Sequence, residues 1–578
     1  MSWIDLPDLI IAASPQRPAA HEPALDLAAL AQNSLAAAGG LQARGIRSAG
    51  LFFDDAAELA TALLACWRAG VVAVLPGDAQ PATCTRLNRE VDAWLSDREL
   101  PIADAEKTRL SELLSHAPMA PARLDLDAPG VRILTSGSSG TPKLIDKQWR
   151  QLMEEVRALQ AQWPELDREH GCGGQDRPVT ILGSVSTQHM YGLPFRLLWP
   201  LCSGRPIVRA QLAYPEEVQQ AVRKHAPCVW IASPALLRRL GGNLDWPALR
   251  QGLRGIFSAG GALPGATVQF LDRHLGWSPT EIYGSSETGV VAWRRGETDW
   301  RCIEPAAVGL DERQALWVKS PWTNGGFEQT ADAAVLRAQG GFALQGRLDR
   351  IIKLEEKRIA LPMVERALAD QQFVDEAYVD RPANAARLTA LVALTPAGLH
   401  ALRNQGRQAL IAALRAHMAP QVESLAVPRS WRFMRQLPWN AQGKLTRPVF
   451  EQLAGPRPSA PELEPLPAPD AATRRYALEV PLDLAHFSGH FADLPIVPGV
   501  TQIGWAFDAA RRDLRPDLNF GGMEVLKFQK LLRPGDAAEL LLRWDDERAK
   551  LHFSVIMAGV SCASGRILHR PKPCHVQA

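Results

Sequence analysis

A chain of 578 residues with 46% hydrophobic and 22% charged side chains is a globular protein rather than a disordered one, and at that length about three or four units are expected. The formal net charge of +2 gives no electrostatic case for a nucleic-acid or membrane-surface partner. No apolar run approaches the roughly 18 residues of a membrane helix. Asp5 and Asp8 stand where a secretion signal carries positive charge, and the eight cysteines include no CxxC pair, so a cytoplasmic protein without zinc site or disulfide framework is expected.

In chain order, "AAELATALLACWRAG" from Ala56 spaces Leu59, Leu63 and Trp67 for one helix face and stops at Gly70, and "VVAVLP" after it predicts a buried strand. Val131-Arg132-Ile133-Leu134 predicts another strand, which runs directly into "TSGSSGTPK", Thr135 to Lys143. The alternation recurs at "PVTILGSVS", "PCVWIASPALLRRL" and "LRGIFSAGGALP", the pattern of a parallel α/β architecture. At "GRLDRIIKLEEKRIALPMVERALAD" the texture changes to a strand pair and a charged helix, a smaller α+β unit that ends near Leu453. "GPRPSAPELEPLPAPD", Gly455 to Asp470, has the composition of an extended, semi-rigid spacer. The expected boundaries are 1–345 for the α/β core, 346–453 for the small unit, 454–471 for the linker and 472–578 for a last domain.

The segment after the Val131 strand is not a P-loop, because Gly140 is followed by Thr-Pro-Lys and then Leu144 rather than by Lys and a hydroxyl residue. It can still cradle a polyphosphate through backbone N–H groups around Gly137 and Gly140, the hydroxyls of Thr135, Ser136, Ser138, Ser139 and Thr141, and the Lys143 ammonium. Further along, "YGSSETG" places Tyr283 four residues before Glu287, "TADAAVL" offers Asp332, "GRLDR" offers Arg347 and Asp349, and "LPWNAQGKLTR" sets Lys444 on a glycine turn. With these five motifs in order, roughly residues 20 to 452 resemble the acyl-adenylate-forming superfamily: acyl-CoA synthetases, aryl-acid ligases and peptide-synthetase adenylation domains.

That resemblance implies a large α/β adenylate-forming domain and a small α+β lid, using ATP and Mg²⁺. A carboxylate would attack the α-phosphorus of ATP, releasing pyrophosphate, so catalysis is mostly positioning and charge stabilisation. Thr135 to Lys143 would hold the outer phosphates and Glu287 would ligate Mg²⁺. Tyr283 would stack on adenine beside Gly284 and Ser286, with Gly260, Gly261 and Ala262 lining the base. Asp332 would bind both ribose hydroxyls, supported by Arg347, while Lys444 would bridge the acid and the α-phosphate and the lid would turn about Asp349. "STQHMYGLPF" makes His189 a candidate for the acid pocket, with Trp230 and Ser258 as further candidates. Two departures stand out: Glu356 where the family has a glycine in the lid loop, and a short region before the phosphate loop.

The acceptor is expected to be separate, a holo-acyl carrier protein or CoA, since "LGGNLD" lacks the serine of a Gly-Gly-x-Ser attachment site. In the last domain, glycines and prolines prevent His486 and His490 from forming a helical metal pair. "SGHFADLPIVPGVTQIGWAF", with a helix expected from Pro498-Gly499 toward Arg511 and long strands after it, resembles the α+β hotdog fold of 3-hydroxyacyl-carrier-protein dehydratases. His490 matches their histidine, but the carboxylate position fourteen residues later is Gly504, and Asp508 lies one turn further, about 6 Å along the axis. The resemblance therefore implies a hotdog that dimerises or docks a carrier rather than a competent dehydratase. A ligase joined to a hotdog resembles the aryl polyene and xanthomonadin pigment clusters, which implies priming of a carrier with a small aromatic acid such as a hydroxybenzoate. The competing expectations are a fatty acyl ligase, a bifunctional ligase–dehydratase, and a carrier-binding scaffold without catalysis.

Overall fold

The computed structural model describes residues 3–12, 14–102, 107–135, 143–167, 177–296, 298–324, 326–338, 340–354, 357–440, 445–489 and 494–570. They divide into two compact units, one running to Gly346 and the other starting at Arg347.

In the first unit the helix Ala56–Ala69 forms where its spacing predicts, with the Asp55 carboxylate accepting from the N–H groups of Ala57 and Glu58. Gly70 ends it in the left-handed conformation at φ 71°, where a side chain would be strained. The strand Val72–Leu75 follows and joins a six-stranded sheet in the order Lys107–Thr108, Ala93–Ser96, Ser48–Phe52, Val72–Leu75, Val131–Thr135, Lys143–Lys147. Its strands are parallel except for the last pair, where Lys143–Lys147 returns antiparallel to Val131–Thr135. A nine-stranded sheet contains Thr180–Gly183, Cys228–Ala232 and Leu253–Ser258 as parallel neighbours. Beyond them Thr280–Ser285 continues parallel and Gly289–Arg295 turns back antiparallel. Cys228–Ala232 is buried throughout, as expected of a strand covered on both faces. A four-stranded sheet, Ala307–Leu310, Ala315–Lys319, Glu328–Leu336 and Phe342–Arg347, completes the unit.

In the second unit the strand pair Ile351–Leu354 and Lys357–Ala360 leads into the helix Leu361–Ala369. Three strands follow, Val374–Asp380, Thr389–Leu394 and Ser430–Met434, packed by the long helix Pro396–Met418. Gly406 interrupts that helix at φ 82°. The last domain is a six-stranded sheet in the order Glu464–Leu466, Thr473–Glu479, Ala537–Asp545, Lys550–Met557, Val560–His569, Phe520–Phe528. The helix Gly499–Asp513 lays Ile503, Trp505, Ala506, Ala509 and Ala510 onto it.

The proline-rich segment differs from the extended spacer that its composition predicts. Glu464–Leu466 pairs antiparallel with Leu466 opposite Arg475, adding an edge strand to the hotdog sheet. Ala485 N–H donates to the Pro458 carbonyl, and the Trp505 indole donates to the Ser459 carbonyl. Proline is tolerated in this strand because an edge has one side with no ladder to complete. The α+β region and the hotdog also share a core. Leu482 belongs to the apolar cluster of Leu402, Leu410 and Trp431. Next to it the Arg407 guanidinium, delivered just after the Gly406 break, meets the buried Asp483 carboxylate at 2.6 Å. Arg403 pairs with Asp536 at 2.9 Å, and Arg435 reaches both Glu479 and the Gly535 carbonyl.

Candidate active site

Thr135 and Lys143 sit directly opposite each other in the antiparallel pair, so the two ends of the phosphate motif are brought together. Ser136, Gly137, Ser138, Ser139, Gly140 and Thr141 lie outside the described residues. Four residues after Lys143, the strand ends at Lys147, whose Nζ donates to the Glu287 carbonyl at 2.8 Å and the Trp322 carbonyl at 3.1 Å. The root of the phosphate motif and the "YGSSETG" turn are thereby neighbours. Within the turn, Ser285 N–H donates to Thr288 Oγ1 and Thr288 N–H to Ser285 Oγ, a reciprocal pair that presents the half-buried Glu287.

At the N-terminal side of the same turn, the Tyr283 hydroxyl donates to Asp332 Oδ2 at 2.6 Å. The tyrosine ring is set by Trp300 and Phe342, each with its centroid 5.7 Å away. Tyr283 and Asp332, 49 residues apart, thus form one unit. Gly260, Gly261 and Ala262 are exposed just past the end of the Leu253–Ser258 strand, with Gly260 at φ 90°. The loop they begin is anchored at Leu263, whose N–H donates to Glu281 Oε2, while Arg294 grips both Glu281 oxygens at 2.8 and 3.0 Å. Gly284 is exposed and Ser286 half-buried on the turn itself.

His189 lies against the base of the phosphate motif: a Cβ on Gly77 would come within 3.0 Å of its Cε1 and 3.4 Å of the Leu134 carbonyl. Its neighbour Gln188 fixes this placement by accepting from the Phe53 N–H and donating to the Phe53 carbonyl. Ser258 is buried, and its hydroxyl has no partner among the described residues. Trp230 is 2% exposed and its indole N–H donates to Ser184, which places the ring in the packing of the sheet rather than on an open surface. Arg347 and Asp349 stand at the start of the second unit, on either side of Leu348. Lys444, Glu356 and His490 lie outside the described residues.

Three residues at this site carry no sequence signal of their own. Glu328, at the start of the Glu328–Leu336 strand, has its carboxyl raised by burial and by the Glu287 charge, with Lys147 and Lys143 opposing. Two acidic side chains in electrostatic reach of each other, flanked by lysines, fit a hard divalent cation, because Mg²⁺ takes one or two carboxylates and completes its shell with phosphate oxygens. Lys147 and Glu155 are each 1% exposed. Alternation along "KLIDK" and along a helix can nominate a buried position but cannot say that a charge occupies it.

In the hotdog, Gly504 lies mid-helix, and a Cβ built on it meets no heavy atom within 4 Å. Asp508 is exposed.

Residues 77–311 match the AMP-binding enzyme family and residues 468–566 match the ApeI dehydratase-like family. The chain carries an AMP-binding ligase domain and, behind it, an ApeI-like hotdog domain. Among relatives of this chain, the sulfoacetate–CoA ligase of Cupriavidus necator is 26% identical over 358 residues, 56% of this chain and 66% of that protein. The 4-coumarate–CoA ligase of Rhodobacter capsulatus is 27% identical over 344 residues, 58% of this chain and 79% of that protein. The chain thus spans just under two thirds of the first relative. The o-succinylbenzoate CoA synthetase of Bacillus subtilis, solved with its acyl-adenylate intermediate, shares the fold with a TM-score of 0.64 at 18% identity, over 78% of this chain and 98% of that one. An acid–thiol ligase that forms acyl-AMP accords with these relatives. Among the described residues no helix is long and apolar enough to cross a membrane.

Proposed function

We propose that this AMP-binding ligase activates a small aromatic carboxylic acid, such as a hydroxybenzoate, as its adenylate and passes it to the phosphopantetheine thiol of a separate acyl carrier protein, priming an aryl polyene-type pigment. The observation that carries the adenylation half is that one strand runs from Lys143 to Lys147, Lys147 binds the Glu287 carbonyl, and Tyr283, four residues before Glu287, donates to Asp332. In the first step an acid oxygen bonds to the α-phosphorus of ATP and the α–β bridging bond breaks, releasing pyrophosphate. Thr135 and Lys143 hold the outer phosphates, Asp332 takes the ribose hydroxyls while Tyr283 fixes its carboxylate, and Lys444 bridges the acid and the α-phosphate. Glu287, with Glu328 in electrostatic reach, would hold Mg²⁺, whose charge would offset that of the phosphates. In the second step the thiol sulfur attacks the acyl carbonyl and AMP leaves. His189 and Ser258 border the acid, and Asp349 serves as the hinge of the lid.

The hotdog serves dimerisation or carrier docking rather than dehydration. Its edge strand Phe520–Phe528 supports pairing with a second copy: Phe520, Val525 and Phe528 are each more than half exposed. Transfer to CoA is the second reading, favoured by the names of the two CoA-ligase relatives. The deciding experiment is acid-dependent pyrophosphate exchange with benzoates, cinnamates and fatty acids, repeated with CoA and with holo-carrier as acceptor. Exchange with fatty acids and none with aromatic acids would overturn the aromatic reading, and product on CoA alone would overturn the carrier.

A further inference from the structure

We infer that Lys147 and Glu155 are positioning residues that hold the Glu287 turn in register with the returning strand of the phosphate motif, an inference that rests on the adenylate-forming reading above. Both side chains are 1% exposed. Charges are buried at a cost unless polar partners replace water, and here both side chains reach backbone of the Glu287–Val290 stretch. Lys147 Nζ donates to the Glu287 carbonyl at 2.8 Å and to the Trp322 carbonyl at 3.1 Å. Glu155, on the helix Trp149–Gln162, accepts the Val290 N–H at 2.7 Å. The Trp322 indole closes the set by donating to the Val290 carbonyl at 2.9 Å. The stretch from Glu287 to Val290 is therefore gripped at both ends from outside, by a strand, a helix and a loop.

The grip is directional. Lys147 is the last residue of the strand whose first residue, Lys143, closes the phosphate motif, so a single five-residue strand links the end of that motif to the Glu287 backbone. The turn is also shaped to accept it. Gly289 sits at φ 65°, and a Cβ there would lie 2.6 Å from Trp322 Cδ1 and 3.0 Å from Glu155 Oε1. An apolar pair at 147 and 155 would fill the same space without reaching either backbone group. What this polar pair adds is a fixed separation between the phosphate-binding strand and the backbone that carries the Glu287 carboxylate, which would hold Mg²⁺.

The test is calorimetric titration of the full-length wild type, Lys147→Met, Glu155→Met and Glu155→Gln with ATP in the presence and absence of Mg²⁺, with the acid KM taken from pyrophosphate exchange. The Met variants should bind MgATP about tenfold or more weakly, since a small misplacement of a binding group is costly, while Mg²⁺-free ATP binding and the acid KM stay near wild type. Glu155→Gln retains an oxygen for the Val290 N–H and should restore MgATP affinity, which a loss of folding in either Met variant leaves intact as a comparison. Equal weakening of ATP with and without Mg²⁺, undiminished MgATP binding in the Met variants, or a Gln variant as weak as Met would overturn the positioning role. A wild type that bound neither form of ATP would overturn the adenylate-forming reading, and this role with it.

Discussion

Tyr283 and Asp332 meet through a single hydrogen bond of 2.6 Å, short because the acceptor is a carboxylate. Bonds to charged groups contribute on the order of 1.5–3 kcal/mol, so Tyr283→Phe is expected to raise the KM for ATP about tenfold or more with the acid KM unchanged. Steady-state kinetics with each substrate varied would expose the error if both constants moved together. Lys444→Ala is expected to abolish adenylate formation yet leave thiolation of a supplied acyl-adenylate intact; equal loss of both half-reactions would count against its bridging role. Burial pushes the Glu155 carboxyl up to about 7 against the pull of Lys147. A carboxyl raised from its unfolded value of about 4.3 binds its proton more tightly in the native state. Its stabilising contribution is complete below about 4.3 and disappears as pH rises through about 7. The melting temperature of wild type relative to Glu155→Gln should therefore fall across that window, and a difference independent of pH would reject the assignment. At this scale the motifs nominated Tyr283, Glu287 and Asp332 from the sequence, and the structure joins Tyr283 to Asp332. Lys147, Glu155 and Glu328 were not nominated, because their significance comes from neighbours far away in the chain.

Among the elements, the helix Gly499–Asp513 offers the clearest experiment. Gly504 has a helical setting and open space beside it, so Gly504→Ala should raise stability by roughly 0.5–1 kcal/mol, read by chemical denaturation. Gly504→Asp has the same room. Wild type should leave a 3-hydroxyacyl-carrier substrate unconverted, and turnover by the wild type would restore the bifunctional reading. The strand–helix alternation was readable in order, since buried parallel strands appear as unbroken apolar runs such as Cys228–Ala232. The edge strand Glu464–Leu466 was not readable, because three residues containing a proline have neither periodicity nor strand propensity, and only the ladder of Thr473–Glu479 gives them a conformation.

For the molecule as a whole, the decisive feature of the second unit is the most deeply buried of the ion pairs that join the α+β region to the hotdog, Arg407–Asp483, with the aspartate side chain 3% exposed. Removing Arg407 would leave the buried Asp483 carboxylate only Arg457, at 3.6 Å, a cost below the about 3–5 kcal/mol of a wholly unpaired buried charge. Arg407→Ala should speed amide exchange in both the helix Pro396–Met418 and the strand Thr473–Glu479, while strands before Gly346 keep their protection. Exchange that rose on one side alone would mean that the two parts open independently. The composition marked a seam at Gly455–Asp470; three-dimensional packing closed it. A consequence concerns descent rather than mechanism. Deleting the hotdog would empty the socket of Leu482 and strand Arg407 without its counter-ion. A domain that supplies part of its neighbour's interior is kept for packing, whatever becomes of its own chemistry.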